Sequence, residues 1–263
     1  MFRRIKANMK AGSSRITSFL PPFFFFCVLL IAWETIVSIF KVPAYLVPRP
    51  LSVFATIMKN FAALIKDTGI TLFEAICGFL LGALIGFLIA VLFAHSRPIE
   101  SSVYPYFVAL QSVPIVAIAP LLVLWFGNGL AGKIIMSSIV CFFPVVINMT
   151  IGLRSADKEI FNLLKLMGAT RLQIFKVLSL PSSLPFLMSA LKISASLSII
   201  GAIVAEIAGA RQGIGFRIVV SSYQTDTKMM FAAIVFAALA GIGFFKTIGI
   251  IEKKVLFWHI STK

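Results

Sequence analysis

The chain has 263 residues, of which 60% are hydrophobic and 13% charged. Ordinary soluble domains carry about 25% charged residues, so this composition argues against a soluble enzyme or binding module and for a polytopic membrane protein. The formal net charge of +15 does not indicate a nucleic-acid partner, because the basic residues lie in short clusters beside long apolar runs and form no solvated basic face.

In chain order, the basic stretch MFRRIKANMKAGSSR and the Pro21-Pro22 pair make residues 1–22 an expected N-terminal tail. Residues 23–40 form the first apolar run. It is longer than the roughly 7–15 residues of a signal-peptide core, and no small-x-small cleavage site follows, so a retained helix is expected. Residues 41–69 open with VPAYLVPRP and continue as a helical, half-polar segment, expected outside the membrane. The second span, 70–94, carries Gly78, Gly82, Gly86, Ala90 and Ala94 at every fourth position. Such a ridge of small residues lets a second helix approach closely, as association in lipid requires.

A third span is expected at 103–125, containing Pro105, Pro114 and Pro120. Pro114 and Pro120 each free a backbone carbonyl, tolerated at membrane depth only beside protein or a water-filled cavity. Both are therefore candidates for lining a translocation pathway, the other reading being a kinked, packed helix. A fourth span follows to about 153 with Pro144 inside it. A fifth covers 184–208, a polar loop with Gly213, Gly215 and Tyr223 comes next, a sixth covers 229–251, and 252–263 forms a tail. Cys27, Cys77 and Cys141 all fall inside apolar runs without paired spacing and read as packing residues.

The interval 154–185 is amphipathic instead. Ile160, Leu163, Leu164 and Met167 repeat at i, i+3, i+4, i+7, with Lys158, Glu159, Asn162 and Lys165 largely off that stripe. Gly168 breaks the run, and Thr170 with Gln173 reads as a capping box opening a second short helix that stops before Pro181. A helix, glycine turn, helix element that is too charged to cross a bilayer yet apolar on one side needs a partner surface.

With the N-terminus in the cytoplasm, about 14 Lys and Arg fall inside and about 8 outside, which places both termini and the amphipathic interval on the cytoplasmic face. Lys192 and Lys246 lie within spans near their cytoplasmic ends, within snorkelling reach. The stretch Gly127 to Ile134 has P-loop spacing, but Ile134 stands where the magnesium-binding Ser or Thr belongs and no strand precedes it. No nucleophile, base and metal set is clustered, His95 and His259 being far apart. Neither a catalytic site nor a cofactor is expected. Glu74 and Glu206 lie inside spans and must each face protein or water, Glu206 being a further candidate for the pathway.

Asn162-Leu-Leu-Lys-Leu-Met-Gly168-Ala169-Thr170, followed by Leu180-Pro181 and Pro185, resembles the EAA loop of binding-protein-dependent ABC transporter permeases. Residues 114–133, the Gly78/Gly82/Gly86 ridge, Leu46 to Pro50 and Val204-Ala205-Glu206 together look like the nitrate, sulfonate, taurine and thiamine-precursor subgroup. The resemblance covers about 23–251 and implies an all-α, type I importer permease domain in the bacterial inner membrane. It would have about six spans and a cytoplasmic coupling loop at 154–183. In that loop Glu159, Asn162, Leu163, Leu164, Gly168, Ala169, Thr170 and Arg171 would engage a separate ATPase. Asn162 stands at the family's glutamate position and Leu163 and Leu164 at its two alanines, so a salt bridge from position 162 is absent. The resemblance further implies two ATPase subunits, an external solute-binding protein and a second permease chain, most simply a homodimer. Cys141-Phe-Phe-Pro144 with residues 200–206 leans towards a thiamine-precursor or other small heterocycle over a nitrate, sulfonate or taurine-type anion. The alternative is an ion-coupled carrier or channel working without an ATPase.

Overall fold

The computed structural model describes residues 21–22 and 24–257. These form helices α1 (Phe24–Ile39), α2 (Pro50–His95), α3 (Arg97–Gln111), α4 (Ile115–Phe126), α5 (Leu130–Arg154), α6 (Lys158–Leu166), α7 (Arg171–Ile174), α8 (Leu180–Gly209), α9 (Ile214–Tyr223) and α10 (Thr227–Val255). No strand occurs among the described residues. The expected N-terminal tail and residues 258–263 lie outside the described residues, apart from 21–22, which are helical.

The chain divides into two compact units, and the division falls at Asn60, where α2 leaves helical geometry with φ −115° and ψ 18°. The first unit draws on Met1–Asn60 and Ser221–Ala232. In it the ring of Trp33 lies 5.6 Å from that of Phe231, and the Thr227 hydroxyl donates to the Ala44 carbonyl at 2.5 Å. The Glu34 carboxylate accepts from the Leu51 N–H at 3.3 Å, in a first helical turn that has no acidic residue of its own. A carboxylate there satisfies an orphan donor and complements the helix dipole.

The second unit, Phe61–Val220 and Ala233–Lys263, is organised around α5. On one side α5 meets the glycine ridge of α2. A Cβ on Gly78 would lie 2.7 Å from the Ile134 carbonyl oxygen, one on Gly82 3.0 Å from Cys141 Cβ, and one on Gly86 3.0 Å from the Phe142 carbonyl oxygen. On the other side α5 meets α8, where a Cβ on Gly201 would lie 2.9 Å from Ser137 Cα. The closeness there allows hydrogen bonds across the helix pair. Ser137 Oγ donates to the Ser198 carbonyl at 2.6 Å, Cys141 Sγ to the Ser194 carbonyl at 3.3 Å, and Ser194 Oγ to the Cys141 carbonyl at 3.2 Å. Ala119 and Leu122 of α4 complete this core with Met136 and Ala205. α10 adds Ile248 and Phe244, the latter edge-on to Phe79 at 5.1 Å.

The spans differ from expectation in four respects. Four helices, α2, α5, the run Arg171–Gly209 and α10, are long and apolar enough to cross a membrane. The expected third span is two helices, α3 and α4, bent by 100° at Ser112 to Pro114. Proline disfavours helix in its predecessor Val113, so the chain breaks before Pro114, while Pro105 and Pro120 stay inside helices. The bent pair still crosses. It leaves the end of the unit where His95 and Arg154 sit and finishes beside Asn128, with Lys66, Lys133 and Arg211. Taken together as one broken span, the pair raises the number of span-length elements from four to five. The expected first span corresponds to α1, an apolar helix shorter than the four that are long enough to cross a membrane. The helix that carries the second begins at Pro50, its half-polar first part being helical as expected and set off by the kink at Asn60. The loop expected after the fifth span contains α9, and the sixth helix runs on to Val255.

Close packing of this kind predicts that Gly82→Leu and Gly201→Leu each destabilise the detergent-purified chain by about 1–3 kcal/mol. Gly241→Leu, with nothing within 4 Å of a Cβ at that site, leaves the thermal midpoint unchanged. Equal midpoints for all three variants would remove the close-packing account.

Candidate functional site

The amphipathic interval folds as two short helices about a glycine. Asp157 caps α6, its Oδ1 accepting from the N–H groups of Glu159 at 2.7 Å and Ile160 at 3.2 Å. At the other end Gly168 takes φ +80°. Its N–H donates to the Lys165 carbonyl at 3.1 Å, and that of Ala169 to the Leu164 carbonyl at 3.0 Å. This pair of bonds is a Schellman ending, which requires a left-handed residue just past the helix. The capping box is present: Thr170 N–H donates to Gln173 Oε1 at 2.7 Å and Gln173 N–H to Thr170 Oγ1 at 3.3 Å. Between these caps, Ile160, Leu163, Leu166 and Met167 stand exposed, Leu166 at 87% and Met167 at 74%, while Leu164 is half-buried. Glu159 and Asn162 are exposed as well.

The second helix does not stop before Pro181. α7 passes through a π-helical turn, Phe175–Ser179, straight into α8. Pro181 lacks an N–H and its ring would collide with the carbonyl four residues back. The extra residue of a π turn, in which the Leu180 N–H bonds the Phe175 carbonyl, shifts the register and lets the helix continue. Arg171–Gly209 is thus one helical run of 39 residues.

At the opposite end of the same unit lies a buried polar node. Glu206, 1% exposed, accepts from Thr71 Oγ1 at 2.7 Å and from the Gly215 N–H at 2.6 Å. Thr71 Oγ1 in turn accepts from the Ile214 N–H at 2.9 Å. Two side chains from α2 and α8 therefore cap α9 from outside it. Gly213, at φ +108°, and Gly215 leave room for the carboxylate, since a Cβ at Gly215 would lie 2.8 Å from Glu206 Cβ. Two ion pairs flank the node, Lys133 with Glu74 at 2.6 Å and Arg217 with Asp67 at 2.5 Å. Lys133, the lysine of the P-loop-like spacing, is thereby committed to a carboxylate, and Lys192 pairs with Glu252 at 2.7 Å.

Pro114, which precedes α4, and Pro120 within it are both exposed, while Ala119 and Leu122 are buried; Glu206 faces protein within the chain. Sequence reading missed Asp67, Thr71 and Arg217 as members of the node and Glu34 as a cap. The carboxylates at 34 and 67 lie in helices where lone charges are dear, which is the signal that could have found them.

Thr71→Val removes both the donor to Glu206 and the acceptor for Ile214. Amide hydrogen exchange across Ile214–Tyr223 should then quicken about tenfold or more, as expected for a buried hydrogen bond lost with its partner stranded, while α6 exchanges as before. Unchanged exchange in α9 would show that the node does not hold it.

Residues 78–256 match the family described as "Binding-protein-dependent transport system inner membrane component". The chain is 35% identical to the formylaminopyrimidine transport permease protein ThiX of Halalkalibacterium halodurans, covering 91% of this chain and 96% of that protein. It is 30% identical to the riboflavin transport system permease protein RibX of Chloroflexus aurantiacus, covering 89% and 88%. In fold it is similar to a chain of the MetNI methionine ABC transporter in an inward-facing conformation, with a TM-score of 0.66 and 19% identity over 74% of this chain and 97% of that one. A helical domain with several apolar spans and an outward-facing two-helix turn, matched in this way over most of its length, belongs to the inner-membrane components of binding-protein-dependent transport systems and is the permease subunit of an ABC importer, a transport subunit and not an enzyme.

Proposed function

We propose that the element from Asp157 to Ile174 is the surface through which this permease is driven by its ATPase. The observation that carries this reading is the exposed apolar stripe Ile160, Leu163, Leu166 and Met167, held between an Asp157 cap and a Gly168 turn. A short capped helix presenting such a stripe fits a groove on a partner. Glu159, Asn162, Leu164, Ala169, Thr170 and Arg171 surround it, and Asn162 offers a hydrogen bond where a charge would offer an ion pair.

In this reading two permease chains, most simply identical, meet two ATPase subunits on the cytoplasmic side and a solute-binding protein on the other. The excess of Lys and Arg at the Arg97, Arg154 and Arg171 end of the second unit supports a cytoplasmic position for that end and for both termini. Closure of the ATPases on ATP draws the two coupling elements together and rocks the spans, opening the pathway alternately to each side. α4 lines that pathway, with the Pro114 break and Pro120 supplying exposed backbone. Glu206 anchors α9 at its outer end. The cargo is a thiamine precursor or another small heterocycle, supported by the 35% identity to the formylaminopyrimidine permease over nearly the whole of both chains.

Gly168→Val forces a β-branched residue into a left-handed conformation, and Leu163→Asp places a charge in the stripe. Each should lower ATP-driven uptake in proteoliposomes by about a hundredfold, the effect of a few kcal/mol at an interface hot spot, and should reduce copurification of the ATPase without preventing membrane insertion. Wild-type uptake in both variants would sink the coupling role. Cargo is tested separately, by measuring whether the copurifying binding protein takes up formylaminopyrimidine.

A further inference from the structure

Behind the coupling element, and distinct from its exposed stripe, lies an open cleft of about 1390 Å³ between α6, α7 and the ends of α2, α3 and α5. Five basic side chains from four helices line it: Arg97, Arg154, Lys158, Lys165 and Arg171. The one carboxylate in the lining, Glu100, is buried and already bound to the Arg154 guanidinium. Of the two carboxylates that flank Lys158 in sequence, Asp157 is occupied in capping α6 and Glu159, exposed, does not line the cleft. Four cations therefore converge on one concavity without an ion-pair partner among the described residues. Concave walls focus their combined field, and holding them together is unfavourable unless an anion is present.

α6 separates its two faces cleanly. Lys158, Phe161 and Lys165, at i, i+3 and i+7, line the cleft, whereas Leu163, Leu166 and Met167 stand exposed outside it. The same helix thus offers an apolar face to one partner and a basic face to another. We propose that the cleft is a binding site for a phosphate group, held by the Arg97 and Arg171 forks with Lys158 and Lys165 as point charges. A phosphate offers several charged acceptor oxygens at once, matching bidentate guanidinium donors better than a single carboxylate does. Bound there, it ties the first turn of α3 to both sides of the Gly168 turn and so stiffens the coupling element against the spans. Two sources carry this chemistry: free phosphate and the headgroup of an anionic phospholipid, which basic pockets at the cytoplasmic ends of spans attract.

The test uses the permease assembled with its ATPase in nanodiscs of phosphatidylcholine, of phosphatidylcholine with phosphatidylglycerol, and of phosphatidylcholine with added inorganic phosphate at matched ionic strength. Amide exchange is read across Lys158–Leu166 and the start of Arg97–Gln111. At least one anion should slow exchange in both segments about tenfold. The protection should be lost in Arg97→Gln/Lys165→Gln, weakened in each single variant, and kept in Arg97→Lys/Lys165→Arg. Protection by phosphate alone assigns a soluble ligand, by phosphatidylglycerol alone a lipid headgroup, and by both a site open to either. Absence of protection in both arms overturns the proposal. So does protection that survives the Gln variants, or exchange already suppressed in neutral discs, since the cleft would then be covered by acidic residues of the ATPase. Failure of the coupling reading would appear separately, as retained uptake in Leu163→Asp.

Discussion

The fold of the second unit depends on how closely helix backbones can approach α5. In lipid, burying apolar side chains gains little over leaving them against acyl tails, so helices associate through van der Waals contact and interhelical hydrogen bonds. Glycine on both neighbours meets this requirement: Gly78, Gly82 and Gly86 from α2, and Gly201 from α8. Once the backbones are that near, Ser137, Cys141 and Ser194 reach carbonyls across the gap. Those bonds in turn make the alignment specific, because a slip of one residue would strand each donor. Cys141 is thus a packing residue that also donates, with no redox chemistry implied.

Charges within the spans are the second constraint, and the structure resolves it by pairing across elements. Glu74 ties α2 to α5, Asp67 ties α2 to α9, Glu252 ties α10 to α8, and Glu206 with Thr71 ties α8 and α2 to α9. A buried pair is weak evidence for stability, since desolvation offsets much of the attraction, but breaking one strands a charge and is strongly unfavourable. These pairs therefore act as registry pins.

Much of this was legible from the sequence because its signals are local. The period of Ile160, Leu163 and Met167, the Gly168 stop, the Thr170 and Gln173 box and the four-residue spacing of Gly78, Gly82 and Gly86 each depend on residues within one or two turns. α9 was read as a loop for the opposite reason. Its caps are Glu206 and Thr71, the latter 143 residues from Ile214, and no local pattern announces a cap borrowed from another helix. The stop expected before Pro181 failed through a competing device, the π turn, which absorbs a proline that ordinarily ends a helix. The break at Pro114 shows the other outcome: with no extra residue to shift register, the helix bends by 100°.

These features together make one mechanical element of α7 and α8. The run Arg171–Gly209 begins at the Thr170 box beside the coupling turn and carries Glu206 near its far end. The α8 portion alone has 30 residues, about 45 Å at 1.5 Å per residue, so one helical run links the proposed coupling surface to the cap of α9. A displacement imposed at Thr170 has few ways to dissipate along it. The serine and cysteine bonds to α5 hold its middle, and the carboxylate of Glu206 holds its end. The exceptions are the π turn at Phe175–Ser179, where hydrogen bonding is out of α register, and Pro185, which removes an N–H from the ladder inside α8. Both interruptions lie between the proposed coupling element and the bonds that join α8 to α5 and α9, so a reorientation of α6 on a partner would be taken up there before it reached Glu206.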